Sequence, residues 1–431
     1  MNLPKKKILF FAHSNNDIDH YLPIIHENKK YEILIFFCPD GNTCEINTLH
    51  SKLISQYKIK IIRIENLFNF PFFKILYFLF QKLKFFKINI KKKYIFSKIL
   101  SILILLSDKI LMNSISQKRL KKNFENLLNS YNVSLVVLDI QKQNYNDNSS
   151  FFRKSLSSFL NVSKKLNLPL FMMTHGANIV FHDNKESISF DKNSFQSDRL
   201  ALCNNFETFL YKNLAKKKEY VKNLGDVRFD ISWINYLKKE NSKKIKDLNE
   251  KNNNLKILYV LGNLSFLNNQ IENSINKEIT NLLNDFDNIE MWVKTHPRTN
   301  INFNFEHKNL KIFYQDVDTS ILVQASDIVL TTLSGILTEA ILSEKLTILY
   351  DSWKKHLKNP WTIFDETNCV KKVKNYSELK KEINFYNKTN KTSFQEREDY
   401  FKKFISGGRS INESLSQSYL SEIDNLLKVT N

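Results

Sequence analysis

Two histidines stand where a strand-like run gives way to a turn. Leu168 to Met173 leads into Thr174-His175-Gly176-Ala177, and Ile289 to Thr295 leads into His296-Pro297-Arg298. In an open α/β sheet, ligands bind beyond the carboxyl ends of the strands. A neutral imidazole placed there can take a proton from an attacking hydroxyl, which makes His175 a candidate general base. The plainer reading is a histidine that hydrogen-bonds a neighbouring loop. Lys294, His296 and Arg298 gather donors and positive charge at one turn, as a diphosphate requires. Pro297 stiffens that turn and keeps His296 out of a helix.

A third stretch, Ser326 to Asp351, has the order strand, small-residue loop, helix. Ile328-Val329-Leu330 is a β-branched run, Thr331 to Gly335 the loop, and Ile336, Leu337, Ala340 and Ile341 a helical face. That order aims backbone N–H groups and the positive end of a helix dipole at an anion. Ser334 is expected to cap the helix and Gly335 to admit a ligand close to the backbone. Glu339, one turn in, would meet hydroxyls on whatever carries the anion. The alternative is a plain βαβ unit with a capped helix. Gly262, in the turn after Leu255 to Leu261, opens another strand-to-loop step. In the first half, Lys7 to His13 runs into Ser14-Asn15-Asn16-Asp17, so His13, Asn15 and Asp17 are candidate walls of a second site. For each, an ordinary capped polar turn is the alternative. Arg228, in Gly225-Asp226-Val227-Arg228-Phe229-Asp230, has Asp226, Asp230 or a substrate phosphate as its candidate partner.

Elements that would position these residues alternate along the chain. Strands are expected at Lys7–His13, Tyr31–Cys38, Lys58–Ile64, Val133–Asp139, Leu168–Met173 and Arg199–Cys203, then at Leu255–Leu261, Ile289–Thr295, Lys311–Gln315, Ile328–Leu330 and Leu346–Tyr350. Helical stretches between them imply parallel, doubly wound sheets. Phe206 to Asn223 reads as a helix closed by Gly225. The charged run Lys238 to Asn254 reads as a linker. The division expected is 1–240, 255–405 and a terminal helix within 406–431.

The 431 residues exceed one ordinary core, and 42% hydrophobic with 25% charged residues describes a folded chain. A net charge of +20 points to anionic surroundings: a membrane face, phosphorylated substrates or nucleic acid. No zinc-finger or RNA-binding pattern accompanies the charge, so nucleic acid is not an expected partner. Cys38, Cys44, Cys203 and Cys369 lack CxxC spacing, which argues against a metal site and suits a reducing cytoplasm. No signal-peptide pattern is read at the N-terminus. Asn66 to Met112 interleaves aromatics, Leu and Ile with lysines. It suits an interfacial membrane segment, with a helical hairpin packed on the sheet as the alternative.

His175-Gly176, GDVRFD at 225–230, Lys294-Thr295-His296-Pro297, TTLSGILTE and SGGRS near the end follow one another in an order that resembles the CDP-glycerol glycerophosphotransferases. The second half is also similar to capsule transferases with a His-Pro motif. The resemblance covers about residues 168–415. It implies a GT-B fold, two Rossmann-like doubly wound domains facing a cleft, with a nucleotide-activated donor and a glycan or lipid-linked acceptor as partners. It implies His175 near the acceptor, His296, Ser334 and Gly335 at the donor phosphates, and Glu339 near a ribose or polyol. No convincing DxD metal site is seen, and backbone donors with cationic groups can stabilise the departing phosphate, so no metal and no separate cofactor are expected. Thr332 stands where the family has Asp, Gly335 where it has Ser, and Thr174 where it has Trp. Ser-Gly followed by Glu-Ala also occurs in UDP-HexNAc 2-epimerases and lipid A disaccharide synthase. The function expected is therefore a transferase of cell-surface polysaccharide synthesis, cytoplasmic or peripheral at the inner face of the plasma membrane. The alternatives are an epimerase and a non-enzymatic protein that binds anionic lipid.

Overall fold

The computed structural model describes residues 5–39, 46–68, 71–89, 94–140, 149–174, 180–182, 195–249, 254–261, 269–295, 306–314, 317–332, 334–350, 360–386 and 393–429. The chain divides into two units. One takes Met1–Ala177, Glu186–Asp230 and Glu413–Asn431; the other takes Asn178–Lys185 and Ile231–Asn412.

In the first unit, β1 (Lys7–Ala12), β2 (Glu32–Phe37), β3 (Lys60–Arg63), β4 (Val133–Asp139) and β5 (Leu170–Met173) come first. After β6 (Val180–His182), which belongs to the second unit, β7 (Arg199–Leu202) and β8 (Val221–Asn223) follow. The seven strands of this unit pair in parallel in the order β3-β2-β1-β4-β5-β7-β8. Runs such as ILFF and LVVL suit strands covered on both faces. The covering helices are α1 (Asn15–Glu27), α2 (Thr48–Gln56), α3 (Pro71–Asn89), α4 (Tyr94–Ser114), α5 (Gln117–Ser130), α6 (Phe151–Lys165) and α7 (Asn205–Tyr211). Phe11, Phe36, Phe124 and Phe159 meet ring to ring in the core, so at least these phenylalanines are packing residues.

The second unit holds α8 (Ile231–Glu240), α9 (Ser242–Asn249), β9 (Leu255–Val260), α10 (Asn269–Asp285), β10 (Ile289–Lys294), β11 (Leu310–Phe313), α11 (Thr319–Ala325), β12 (Ile328–Thr331), α12 (Ile336–Leu342), β13 (Leu346–Tyr350), β14 (Pro360–Thr362), β15 (Lys371–Val373), α13 (Tyr376–Asn384) and α14 (Phe394–Tyr400). Its sheet runs β11-β10-β9-β12-β13-β15, again all parallel, while β14 pairs antiparallel with β6. The last helix, α15 (Leu415–Val429), returns to the first unit and packs on α1.

The eleven expected strands are all present, with ends shifted by one or two residues in most of them. Two expectations fail. The run from Lys238 to Asn254 is helical for most of its length, because Ile245 and Leu248, three apart on α9, pack against the Trp292 side of the second sheet. The helix expected through Asn223 stops at Tyr211, and Val221–Asn223 pairs with β7 as an edge strand. Gly225 therefore follows a strand, with φ of 91°, a left-handed conformation glycine adopts without strain.

Candidate functional site

In both sheets the strand order reverses direction beside the first strand: between β1 and β4 in the first unit, and between β9 and β12 in the second. Such switch points open a crevice at the carboxyl ends of the strands. In the first unit a cavity of about 570 Å³ lies there, lined by residues that include His13, Asp139, Asp108, Lys84, Arg153 and Leu105.

His13 follows β1 directly, and Ser14 caps α1. Ser14 and Asp17 form a reciprocal capping box: Ser14 Oγ accepts from the Asp17 N–H at 3.3 Å, and Asp17 Oδ2 accepts from the Ser14 N–H at 2.9 Å. The same oxygen accepts from the His13 N–H at 2.6 Å and lies 2.8 Å from His13 Nδ1. A buried carboxylate thus takes the backbone N–H of His13 and stands beside its ring, ready to pair with the imidazole when it is protonated. The ring also packs on Phe152, centroids 5.5 Å apart. Asp139, at the end of β4, completes a group of one nitrogen and two oxygen ligands whose atoms lie within 4.8 Å of one another. That donor set could hold a divalent cation, although here His13 and Asp17 are engaged with each other. Burial first, then the charges of Asp17 and Asp139, push the neighbouring Tyr21 phenol well above its ordinary range. Asp108 accepts from the Phe151 N–H at 3.1 Å at the start of α6; burial raises its carboxyl, against that hydrogen bond and the charge of Lys84. The cavity therefore joins an acid–base group to cations and an apolar wall. His13 and Asp17 were legible in the sequence; Asp139, Asp108, Lys84 and Arg153 were not, because nothing local marks them as neighbours.

Asn15 is placed otherwise. Its Oδ1 accepts from the Asn47 N–H at 3.1 Å and contacts His50 Nδ1 at 3.3 Å, tying α1 to α2. His50 is buried and meets Asp19 at 2.5 Å. Burial works to raise the Asp19 carboxyl, but the charge and hydrogen bond of His50, with Arg228 and His20 behind, bring it below its ordinary value. Arg228 stands 3.9 Å from Asp226 and over the Phe229 ring, while Asp226 also meets His20 at 3.3 Å. Of the three partners considered for Arg228, the structure shows Asp226.

In the second unit, the register sets Lys294 and Thr331 on either side of Val260 at the carboxyl edge. Lys294 is nearly buried and donates to the Tyr314 carbonyl and, at 2.7 Å, to that of Val317, so it holds the chain beyond β11. Ser334 Oγ accepts from the Ile336 N–H at 3.3 Å, while Gly335 occupies the cap position with ordinary helical φ. Glu339 accepts from the Ser320 hydroxyl of α11; that is the hydroxyl it meets here. The Thr331 and Thr332 hydroxyls beside them are buried and have no hydrogen-bond partner among the described residues. Buried polar atoms are paired as a rule, so these two hydroxyls at a switch point are candidates to meet a polar ligand. His175, Gly262, His296 and Arg298 lie outside the described residues. The strands that precede them, β5, β9 and β10, end at the carboxyl edges of the two sheets.

A second cavity, of about 590 Å³, is lined by Leu346, Lys371 and Cys369 among others, at the amino ends of β13 and β15. That is the opposite edge from the one where α/β sheets bind ligands. Cys38, Cys203 and Cys369 are buried thiols without disulfides.

No family model matches this sequence, and no curated protein does. Solved structures do. UDP-GlcNAc 2-epimerase from Neisseria meningitidis, bound to UDP-GlcNAc, aligns with a TM-score of 0.53 at 12% identity, over 98% of this chain and 100% of that one. A glycosyltransferase from Rickettsia africae gives 0.53 at 14% identity, over 99% and 100%. The wall teichoic acid polymerase TagF gives 0.54 at 12% identity, over 99% and 90%. Identities this low speak for architecture, and the architecture agrees: two parallel sheets of the same strand order, each flanked by helices. The chain has the GT-B fold, built from two Rossmann-like domains.

Proposed function

We propose that this chain is a transferase of cell-surface polysaccharide synthesis. It moves a glycosyl or polyol-phosphate group from a nucleotide-activated donor to a hydroxyl of a glycan or lipid-linked acceptor. The observation that carries the reading is the cavity at the first switch point, with a histidine beside a carboxylate, further carboxylates, cations and an apolar wall. Such a cavity suits a second substrate in the first domain; an epimerase would use the same acid and base groups on its one nucleotide sugar, so the two readings part at the need for an acceptor.

In this reading the second unit takes the donor, with Thr331, Thr332, Ser334 and Gly335 at its phosphates together with His296, Arg298 and Gly262. Glu339 would exchange Ser320 for a donor hydroxyl. The acceptor lies against His13, Asp17 and Asp139. His175 removes the proton from the acceptor hydroxyl, the oxygen attacks the transferred group, and the bond to the nucleotide phosphate breaks. The departing phosphate keeps the electron pair, its charge held by His296, Arg298 and backbone donors. No metal ion or separate cofactor enters the scheme. The enzyme would work in the cytoplasm, at the inner face of the plasma membrane.

The epimerase reading draws on several UDP-GlcNAc 2-epimerases among the similar structures. One assay separates the two. The protein is incubated with CDP-glycerol or UDP-GlcNAc, with and without a membrane glycan fraction. Nucleotide release that requires the fraction, and is lost in His175→Ala and His296→Ala, supports the transferase. Conversion of UDP-GlcNAc alone to its 2-epimer establishes the other reading.

A further inference from the structure

The helices α3 and α4 pack on each other and bury one side in the core of the first unit, through Phe73, Tyr77, Phe80 and Leu111, with Phe151 of α6 against Phe73 and Tyr77. Their other side is apolar and exposed. On α3, Ile75, Phe78 and Leu79 are all more than half exposed. On α4, Ile99, Ile102, Leu103, Leu106 and Ile110 recur at helical spacing, and Leu105 between them is 68% exposed. Of the twelve large exposed hydrophobics among the described residues, nine lie on this hairpin. Soluble surfaces scatter such residues singly, so a continuous stripe marks an interaction face.

Charge says what covers it. The segment Asn66 to Met112 carries nine lysines and one acid, Asp108. Lys74, Lys82 and Lys109 are exposed alongside the apolar residues. A second copy of this chain would bring the same positive charge to the contact, whereas an anionic bilayer offers hydrocarbon to the stripe and headgroups to the lysines. No single helix among the described residues is long and apolar enough to cross a membrane. We propose that the outer face of α3 and α4 docks on an anionic lipid surface, lying in its interface. Leu105 also lines the cavity that contains His13, so docking brings the rim of that cavity to headgroup level. The docking does not depend on the transferase reading, and its test reads no activity.

The experiment is flotation of the full chain with phosphatidylcholine–phosphatidylglycerol vesicles and with phosphatidylcholine vesicles alone, at low and high salt. The wild type rises with the anionic vesicles and stays behind with the neutral ones. Ile102→Glu with Leu106→Glu, changes confined to exposed positions, reduces recovery about tenfold. Lys82→Glu with Lys109→Glu reduces it and flattens the salt dependence. Unchanged thermal melting confirms that the variants fold. Equal recovery of wild type and the Ile102/Leu106 variant overturns the proposal, as does a wild type that ignores anionic vesicles. Sedimentation is run in parallel without lipid: a stable dimer broken by the same two changes assigns the face to a second copy instead.

Discussion

Asp17 does two jobs that substitution can pull apart. It closes the capping box of α1, and it holds His13. Asp17→Asn keeps an oxygen for the Ser14 and His13 N–H groups but removes the charge beside the imidazole. Thermal stability should change little, while acceptor-dependent turnover falls. Asp17→Ala keeps the Ser14 cap but loses the reciprocal half of the box as well, and should cost about 1 kcal/mol more, read by denaturant unfolding. His13→Ala should lower acceptor-dependent turnover about 100-fold yet leave nucleotide binding, followed as a rise in melting temperature, unchanged. The hydroxyl of Thr331 makes the opposite case. It is buried without a partner among the described residues, so Thr331→Val removes a desolvation penalty and should leave melting unchanged or raise it. If that hydroxyl awaits donor phosphate, the same variant should show a smaller nucleotide-induced shift; an undiminished shift would remove Thr331 from the donor site.

At the scale of elements, α14 is fastened to the segment after it by Glu398. Both carboxylate oxygens face the Ile411 N–H, at 3.3 and 3.1 Å, and Lys402 lies 3.2 Å away. Burial works to raise this carboxyl, but hydrogen bonds from Ser410, Ile411 and Lys402 hold it below its ordinary value. A depressed carboxyl stabilises the fold above its unfolded pKa, and that contribution fades as pH falls through the folded value. Wild type should therefore melt above Glu398→Gln at neutral pH, with the gap closing below about pH 4. Melting curves across that range check it. The strands flanking the switch points were legible because parallel strands covered on both faces are written as unbroken apolar runs. The edge strands β8 and β15, read as VKN and KKV, were not, since at an edge the neighbour decides more than the residue does. The helix α9 was hidden for a related reason: two apolar residues among lysines become a buried face only when a core is there to receive them.

For the whole molecule, the last nineteen residues matter out of proportion to their number. The Tyr419 hydroxyl donates to the Gly225 carbonyl at 2.8 Å. Asp230 takes the Ser414 hydroxyl and the Ser416 N–H at 2.9 Å each, and Glu422 meets Arg199 at 3.0 Å. Leu415, Tyr419, Ile423 and Leu427 are buried. Truncation after Asn412 should unfold the first unit and leave the second intact. Calorimetry would then lose one transition and keep the other; loss of both would mean the units do not fold independently.

The order of apolar runs and turns was enough to give two doubly wound domains, since the period and length of buried strands are written locally. It was enough, too, to mark His13, Asp17 and Ser334 as residues at strand ends or helix starts. Tertiary structure decided the company they keep. Asp139 comes close to His13, and Asp108 and Lys84 line the same cavity, from elements far along the chain. Lys294, Asn15 and Glu339 proved tied to carbonyls or side chains that no spacing foretells. Returning α15 to the first unit is likewise a choice made by packing, where a buried face and a set of hydrogen bonds outweigh nearness in sequence.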